Sequence, residues 1–400
     1  MSRNDRIIKN SYALVQCFYW AQSAATVSFA SYYLQELGFA KTSMGVILAV
    51  SNLFGFLLPN IFGSFIDKGS IGAIKTSCIV LGGEMLSVIP LLFVRKAGFL
   101  TSLCLVVLIS LLFAINPIYT KICMDLQRAV EKVQYSIPRA LGSVSFAFTA
   151  WLIGMLLPET GLNLLPCAAL LFIVLQMVSM FRIRGFDQRI IKKSTESSVK
   201  GCNMTAFLKQ NRRYTILALG IMVLFAATNT INNYLYQIVE NVGGTEKTLG
   251  LLSAMIGLTE VLVMIIYARI RPEKKKTAKF LAFSLVFFAV KVFAIMVANS
   301  IQTLFAAFLL QGLSFALYVP VIVDYVDKAI PYEDSAKGQS LCGSMISLGT
   351  FIATLFSGRW LDLLPVQAVL LRLLIISLVG LPICFAGINW KVDQQVRESK

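Results

Sequence analysis

Residues 99–120 read FLTSLCLVVLISLLFAINPIYT, a run of 22 residues without one charged side chain. About 20 consecutive apolar residues are enough for a helix to cross the hydrocarbon core of a bilayer. The whole chain of 400 residues shares this character, with 57% hydrophobic residues, 14% charged residues and a mean hydropathy of +0.75. Because soluble domains carry about 25% charged residues, the composition indicates a membrane protein and excludes a soluble enzyme or a disordered chain.

Eleven further apolar runs follow the same pattern, and charged or turn residues separate each run from the next. The sequence therefore predicts an all-α membrane protein with twelve transmembrane helices. The predicted helix cores are 11–33, 44–66, 72–94, 99–120, 140–157, 162–181, 214–238, 249–268, 279–298, 302–323, 338–357 and 366–388.

Lysine and arginine are distributed unevenly between the connections of these helices. If the N-terminus is cytoplasmic, 29 of the 36 basic residues lie in cytoplasmic segments, five in external segments and two within helices. The positive-inside rule then predicts that both termini are cytoplasmic, and we expect the protein to lie in an inner or plasma membrane. The net charge of +16 follows from loops that face anionic lipid, so we do not expect a nucleic-acid partner.

Residue types that bind metals or perform covalent chemistry are sparse. The chain has no histidine, and its eight cysteines are scattered singly without a CxxC pair. No set of nucleophile and base, and no glycine-rich phosphate loop, stands out in the sequence. We therefore expect no metal site, no cofactor and no enzymatic activity.

The longest polar stretch lies close to the middle of the chain. Residues 182–213 are rich in Lys, Arg and Ser, and this composition predicts a cytoplasmic linker between two six-helix bundles, at 1–181 and 214–400. Short patterns recur at similar distances in the two halves. KTSMG at 41–45 matches KTLG at 247–250, and RALGS at 139–143 is similar to SLCGS at 340–344. Internal repeats of this kind are typical of secondary transporters.

The sequence GSFIDKG at 63–69 resembles the loop motif of the major facilitator superfamily, shortened by one residue. Within the superfamily, the chain most resembles the branch of lactose permease and the nucleoside/proton symporters. The resemblance implies two pseudo-symmetric six-helix bundles, a monomer, and alternating access to a central cavity. It also implies a gating role for Gly63, Asp67 and Lys68, in which Asp67 accepts hydrogen bonds from a neighbouring helix N-terminus. The alternative for Asp67 is a solvated acid in a turn.

Charged residues at the centre of apolar helices are candidates for proton coupling. Such a charge costs at least about 2.5 kcal/mol by insertion scales, so it needs a partner, water or a function. Glu260 and Lys291 lie midway along consecutive helices and have opposite charges. The pair either couples transport to protons or is purely structural. Glu84, in the middle of the third helix, and Asp324, at the cytoplasmic end of the tenth, are further candidates; for Glu84 a hydrogen-bonded structural role is the alternative.

The fifth helix offers one candidate stripe for substrate binding. Arg139, Ser143 and Phe146 follow each other at helical spacings of four and three. The resemblance to lactose permease implies that Arg139 contacts substrate hydroxyls and that Phe146 supplies an apolar platform. The alternative for Arg139 is an anchor at the membrane interface.

The seventh helix carries a stripe of amides in an otherwise apolar span, namely Asn229, Asn232 and Asn233, followed by Tyr236. Amides donate to and accept from hydroxyl groups, as binding of a sugar or nucleoside requires. The alternative is hydrogen bonding between helices. Further predicted contacts with a bound solute are Trp20, Asn116, Tyr119 and Gln311.

Together these features predict a transporter in the lipid bilayer that imports a small polar solute, sugar-like or nucleoside-like, by proton symport. The tenth helix has Phe315 and Tyr318 in the frame where the resembled branch has its proton-relay residues. Proton coupling would therefore depend on the acids named above, and uniport is the alternative. A proton-coupled multidrug or metabolite exporter and a sensor that binds without translocating are two other functions compatible with the same features.

Overall fold

The structure is a computed structural model. It describes residues 3–67, 72–129, 136–183, 204–270, 276–331, 334–390 and 392–393. Most of the predicted linker at 182–213 lies outside these residues, as does Lys68. The chain divides into two compact units, one of residues 1–197 with 245–257 and one of residues 198–244 with 258–400.

Six long helices form most of the first unit. Helix α1 consists of Arg3–Ser23, a π-helical turn Ala24–Ser28 and Ala30–Glu36. The next five are α2 (Lys41–Asp67), α3 (Ala73–Leu91), α4 (Phe99–Ala129), α5 (Ser136–Thr160) and α6 (Leu164–Ile183).

The remaining six helices follow a short helix at Met204–Gln210. Helix α7 consists of Arg212–Asn233 and, after a break at Tyr234, Leu235–Asn241. Next come α8 (Glu246–Ile270) and α9 (Thr277–Val297), and then α10, which combines Ile301–Leu309, a π-helical turn Gly312–Ala316 and Leu317–Ala329. The last two are α11 (Ser335–Leu363) and α12 (Val366–Gly387).

Eleven helices in the described part of the chain are long and apolar enough to span a membrane. The twelfth is α1, whose apolar part is divided by its π-helical turn. The predicted all-α membrane fold of twelve helices is confirmed. Several predicted helices are longer in the structure, because polar residues at their ends continue the helix beyond the apolar core.

The same helix pairs pack together in both halves of the sequence. In the first unit α1 packs against α5 and α6, while α3 packs against α4 and α6. In the second unit α7 packs against α11 and α12, while α9 packs against α10 and α12. Each of these pairs recurs six helices later, so the two halves of the sequence share part of their helix packing.

Glycines allow the closest of these approaches. A Cβ atom at Gly387 of α12 would lie 2.2 Å from the backbone nitrogen of Leu217 on α7, and one at Gly349 of α11 would lie 2.2 Å from the carbonyl oxygen of Met222. Helix α7 is therefore in backbone contact with both of its neighbours.

Candidate functional site

An arginine stacked on a tryptophan is the central feature of the first unit. The guanidinium carbon of Arg139 on α5 lies 4.0 Å from the ring centroid of Trp20 on α1, which is a cation–π contact. The Nη1 atom of Arg139 donates a hydrogen bond of 2.5 Å to Ser143 Oγ, one turn further along α5. Arg139 therefore contacts both Ser143, its neighbour in the predicted stripe, and Trp20, a third predicted residue.

A glycine makes this contact possible. A Cβ atom at Gly142 would lie 2.3 Å from Cδ1 of the Trp20 ring, so any larger residue would displace the indole. In the sequence RALG at 139–142, Arg139 therefore supplies the cation that stacks on Trp20, and Gly142 leaves the space that the indole ring occupies.

Further aromatic rings extend the cluster. Phe146 of α5 meets Trp20 edge to face, with ring centroids 6.4 Å apart. Tyr19 meets Trp20 at 5.2 Å and Tyr119 of α4 at 5.7 Å, again edge to face. Within the described residues, the Nε1–H of Trp20 is buried and has no hydrogen-bond partner. The cluster therefore combines aromatic surface with a buried hydrogen-bond donor that is not satisfied by the described residues.

A chain of buried hydrogen bonds connects this cluster with Glu84 on α3. The hydroxyl of Tyr119 donates to Gln176 Oε1 at 2.9 Å, Gln176 Nε2 donates to Gln22 Oε1 at 2.6 Å, and Gln22 Nε2 donates to Glu84 Oε2 at 2.6 Å. All four side chains are fully buried. Every donor points towards the carboxyl group, and the second oxygen of Glu84, Oε1, is buried without a partner in the described part of the protein.

A second polar cluster lies in the second unit. The Nζ atom of Lys291 on α9 donates to Gln311 Oε1 at 2.7 Å, and Gln311 Nε2 donates to Glu260 Oε1 on α8 at 2.9 Å. Lys291 is fully buried and Glu260 is half-buried. Gln311 therefore links the two charged residues that the sequence analysis paired.

The backbone of α10 positions Gln311. This residue immediately precedes the π-helical turn Gly312–Ala316, a feature that is often found at functional sites. A Cβ atom at Gly312 would lie 2.9 Å from Val263 and 3.0 Å from Thr259 of α8. The absence of a side chain at Gly312 lets α10 approach α8 closely enough for Gln311 to reach Glu260. In the first unit, Gln22 lies two residues before the π-helical turn of α1.

The amides of α7 bind α11. Asn229 Nδ2 donates to Thr350 Oγ1 and Asn233 Nδ2 donates to Thr354 Oγ1, both at 2.8 Å. These bonds correspond to the interhelical role that the sequence analysis kept as an alternative. Asn232 is exposed and Tyr236 is buried, so the members of the stripe point in different directions.

Four other predicted residues, namely Asn116, Asp324, Gly63 and Asp67, are not part of either cluster as the structure describes them. Asn116 is half-buried on α4, one turn before Thr120. Asp324 is exposed near the end of α10 and accepts a hydrogen bond of 2.8 Å from the hydroxyl of Tyr267. Gly63 has open space where a Cβ would be. Asp67 ends α2, and its side chain lies outside what the structure describes.

Sequence reasoning missed the two glutamines that join Tyr119 to Glu84. Gln22 and Gln176 are single amides in apolar helices, and this pattern was a usable signal, because a buried amide must find a partner. The threonines of α11 at 350 and 354 are spaced four residues apart, as are their partners on α7. Among the described residues, no group of three or more Cys, Asp or Glu side chains could hold a metal ion.

Comparison with known protein families identifies the chain as a transporter of the major facilitator superfamily. A sequence model of the MFS_1 like family matches residues 10–369, and the chain belongs to this family. The predicted family is therefore confirmed. No curated protein sequence matches the chain.

Solved structures of transporters share the fold at low sequence identity. A point mutant of the nucleoside transporter NupG is similar with a TM-score of 0.79 and 15% identity, covering 96% of this chain and 100% of the other. An auto-inhibited peptide transporter of the POT family has a TM-score of 0.73 and 11% identity, with coverage of 98% and 97%. The human organic anion transporter MFSD10 (TETRAN) has a TM-score of 0.64 and 15% identity, with coverage of 96% and 100%.

Proposed function

We propose that this protein imports a small polar solute, nucleoside-like or sugar-like, by alternating access and proton symport. The observation that carries the proposal is the Arg139–Trp20–Phe146 cluster of the first unit. Sugars and nucleosides combine a ring face with hydroxyl groups. The ring face packs on aromatic side chains, while hydroxyls and ring acceptors bind to donors such as the Trp20 indole and the Arg139 guanidinium. The similarity in fold to NupG, a nucleoside transporter, supports this substrate class.

Proton coupling is assigned to Glu84 and to the Glu260–Gln311–Lys291 cluster. A carboxyl group donates a hydrogen bond only when it is protonated, so gain or loss of a proton changes which neighbours it can bind. Glu84 is linked to Tyr119 through two glutamines, and the Tyr119 ring contacts Tyr19, which contacts Trp20. A change at Glu84 can thus reach the proposed substrate site through side chains of one unit.

The proposed topology follows from the distribution of charge. With 29 of 36 basic residues in one set of connections, we assign both termini to the cytoplasm and the chain to an inner or plasma membrane. We further propose that the working form is a monomer of two bundles, 1–181 and 214–400, joined by the linker 182–213. Gly63, Asp67 and Lys68 are proposed to act as the cytoplasmic gate.

A ligand screen tests the substrate class. Thermal unfolding of the purified protein in detergent would be followed with nucleosides, sugars and lipophilic cations. A ligand at about 100 times its Kd stabilises the protein by about 2.7 kcal/mol. We expect stabilisation by one nucleoside or sugar class, and its loss in the variants Arg139→Gln and Trp20→Phe.

Two matched pairs of variants distinguish loss of a contact from general damage. Trp20→Phe keeps an aromatic ring but removes the buried Nε1–H, and Trp151→Phe makes the same exchange at a tryptophan that is 40% exposed. Phe146→Leu removes a ring from the cluster, and Phe148→Leu removes an exposed ring of the same helix. Ligand binding should survive both control exchanges; equal losses in variant and control would contradict the proposed site.

One observation favours a second function, a proton-coupled exporter of lipophilic cations. Glu84 Oε1 is a buried carboxyl oxygen without a partner in the described part of the chain, and a cation would satisfy it. This alternative predicts that only cations stabilise the protein in the screen and that Glu84→Gln abolishes the effect.

A further inference from the structure

An apolar groove runs along the second unit between α11 and α12. Its floor is α7, where Met222 and Ala226 lie, and its volume is about 350 Å³. The groove exists because α11 and α12 each pack along α7 but touch each other at few points. Gly349 and Ala353 line it from α11 with small side chains, and Gly349 lets α11 contact the α7 backbone directly.

The groove opens on the surface that faces lipid. Phe356 on the α11 wall is 53% exposed, and Ile375, next to the groove residue Ile376 on α12, is also 53% exposed. Large apolar side chains with this exposure contact acyl chains in a membrane-spanning helix. A lipid chain can therefore enter the groove directly from the bilayer.

A cation lies at one end of this groove. The guanidinium carbon of Arg372 on α12 is 4.9 Å from the ring centroid of Trp360, which lines the groove. Arg372 is one turn before Ile376 and six residues after the first residue of α12. Within the described residues, no carboxylate forms an ion pair with Arg372. An arginine at this depth normally has an anionic partner or a path to the interface.

We propose that the groove is a binding site for an anionic phospholipid. One acyl chain occupies the groove, and the phosphate binds the guanidinium of Arg372 above Trp360. A guanidinium bonds a phosphate through two parallel N–H donors, which supplies the missing anion. The occupant combines an apolar chain with an anion, as the lining and the rim require. With both termini cytoplasmic, the connection between α11 and α12 is external, so the bound lipid belongs to the outer leaflet.

The charges around the rim are consistent with this assignment. Residues 359–372 contain Arg359, Arg372 and one acid, Asp362, so the connection carries net positive charge. Trp360 lies three residues before the end of α11, and tryptophans near the ends of membrane-spanning helices usually anchor them at the interface.

Native mass spectrometry of the purified full-length protein tests the proposal. The protein would be exchanged into detergent with phosphatidylglycerol or with phosphatidylcholine, and the retained lipids counted. We expect the anionic lipid to be retained about fivefold more strongly, the effect of one basic residue near a lipid surface. The variant Arg372→Gln should lose this preference. Arg359→Gln removes a charge from the same connection but leaves the contact between Arg372 and Trp360 in place. This variant should keep most of the preference for the anionic lipid.

A second pair of variants tests the groove itself. Ile376→Trp fills the groove from its α12 wall and should reduce retention of both lipids, while Ile375→Trp adds the same ring on the exposed side and should not. The proposal is wrong if the natural protein shows no preference for phosphatidylglycerol, or if Arg372→Gln and Ile376→Trp both retain it like the natural protein. Thermal unfolding with the same lipids checks that each variant is folded.

Discussion

Replacing Gln311 with leucine tests whether this glutamine holds two charged groups together in the second unit. The substitution keeps a similar side-chain volume but removes the acceptor of Lys291 and the donor to Glu260, at 2.7 and 2.9 Å. Lys291 is fully buried, so water does not replace the lost acceptor. Glu260 is half-buried and retains access to other partners.

The expected magnitude follows from these two bonds. A hydrogen bond to a charged group contributes about 1.5–3 kcal/mol, and leaving the group buried without a partner costs a similar amount. The bond to the buried Lys291 contributes its full free energy, and the bond to the half-buried Glu260 contributes only part of it. The expected loss in the free energy of unfolding is therefore about 3 kcal/mol. The assay is reversible unfolding of the purified protein in mixed micelles with increasing denaturing detergent.

Two further variants make the test specific. Gln302→Leu makes the same exchange at an exposed position of α10 and should change stability by less than about 0.5 kcal/mol. Adding Lys291→Met to Gln311→Leu removes the unpartnered amine and should recover at least half of the loss, since replacing both partners by apolar groups can be nearly neutral. An unchanged stability of Gln311→Leu, or a further loss in the double variant, would refute the reasoning.

Three other predictions concern single contacts. Gly142→Ala should displace Trp20, whose Cδ1 lies 2.3 Å from the added Cβ, and weaken ligand binding at least tenfold in a titration of tryptophan fluorescence; unchanged affinity would contradict the packing. Asn229→Leu and Thr350→Val should each destabilise the protein by about 1 kcal/mol and be non-additive in a double-mutant cycle, because they remove the same hydrogen bond; additive losses would show that no bond is shared. Glu84→Gln should make uptake independent of external pH while ligand binding persists, and a retained pH dependence would exclude Glu84 as a coupling residue.

The helical fold was predictable because apolar run length is a direct consequence of bilayer thickness. The run at 99–120 lies within α4, and the predicted core at 279–298 differs from α9 by one or two residues at each end. Interruptions were not predictable. The π-helical turns at Ala24–Ser28 and Gly312–Ala316 leave the apolar pattern intact and depend on packing against other helices.

The candidate site was predictable in part, because rare polar residues in apolar helices are visible while their partners are not. Arg139, Ser143 and Phe146 share a helical face, so their proximity followed from spacing. The contact with Trp20 depends on how α1 packs against α5, which the sequence does not encode in any local pattern. Gln311 is likewise visible in the sequence as a predicted solute contact, whereas its position between Glu260 and Lys291 depends on the packing of three helices.

Uptake by proteoliposomes is the most direct test of the proposed function. Purified protein would be reconstituted and given a radiolabelled nucleoside or sugar, with and without an inward proton gradient. We expect saturable uptake of one of these solutes that increases with the gradient and is abolished in Arg139→Gln but not in Arg359→Gln. If neither solute class is taken up or exchanged, or if uptake is the same in Arg139→Gln, the proposed import function and its site are contradicted.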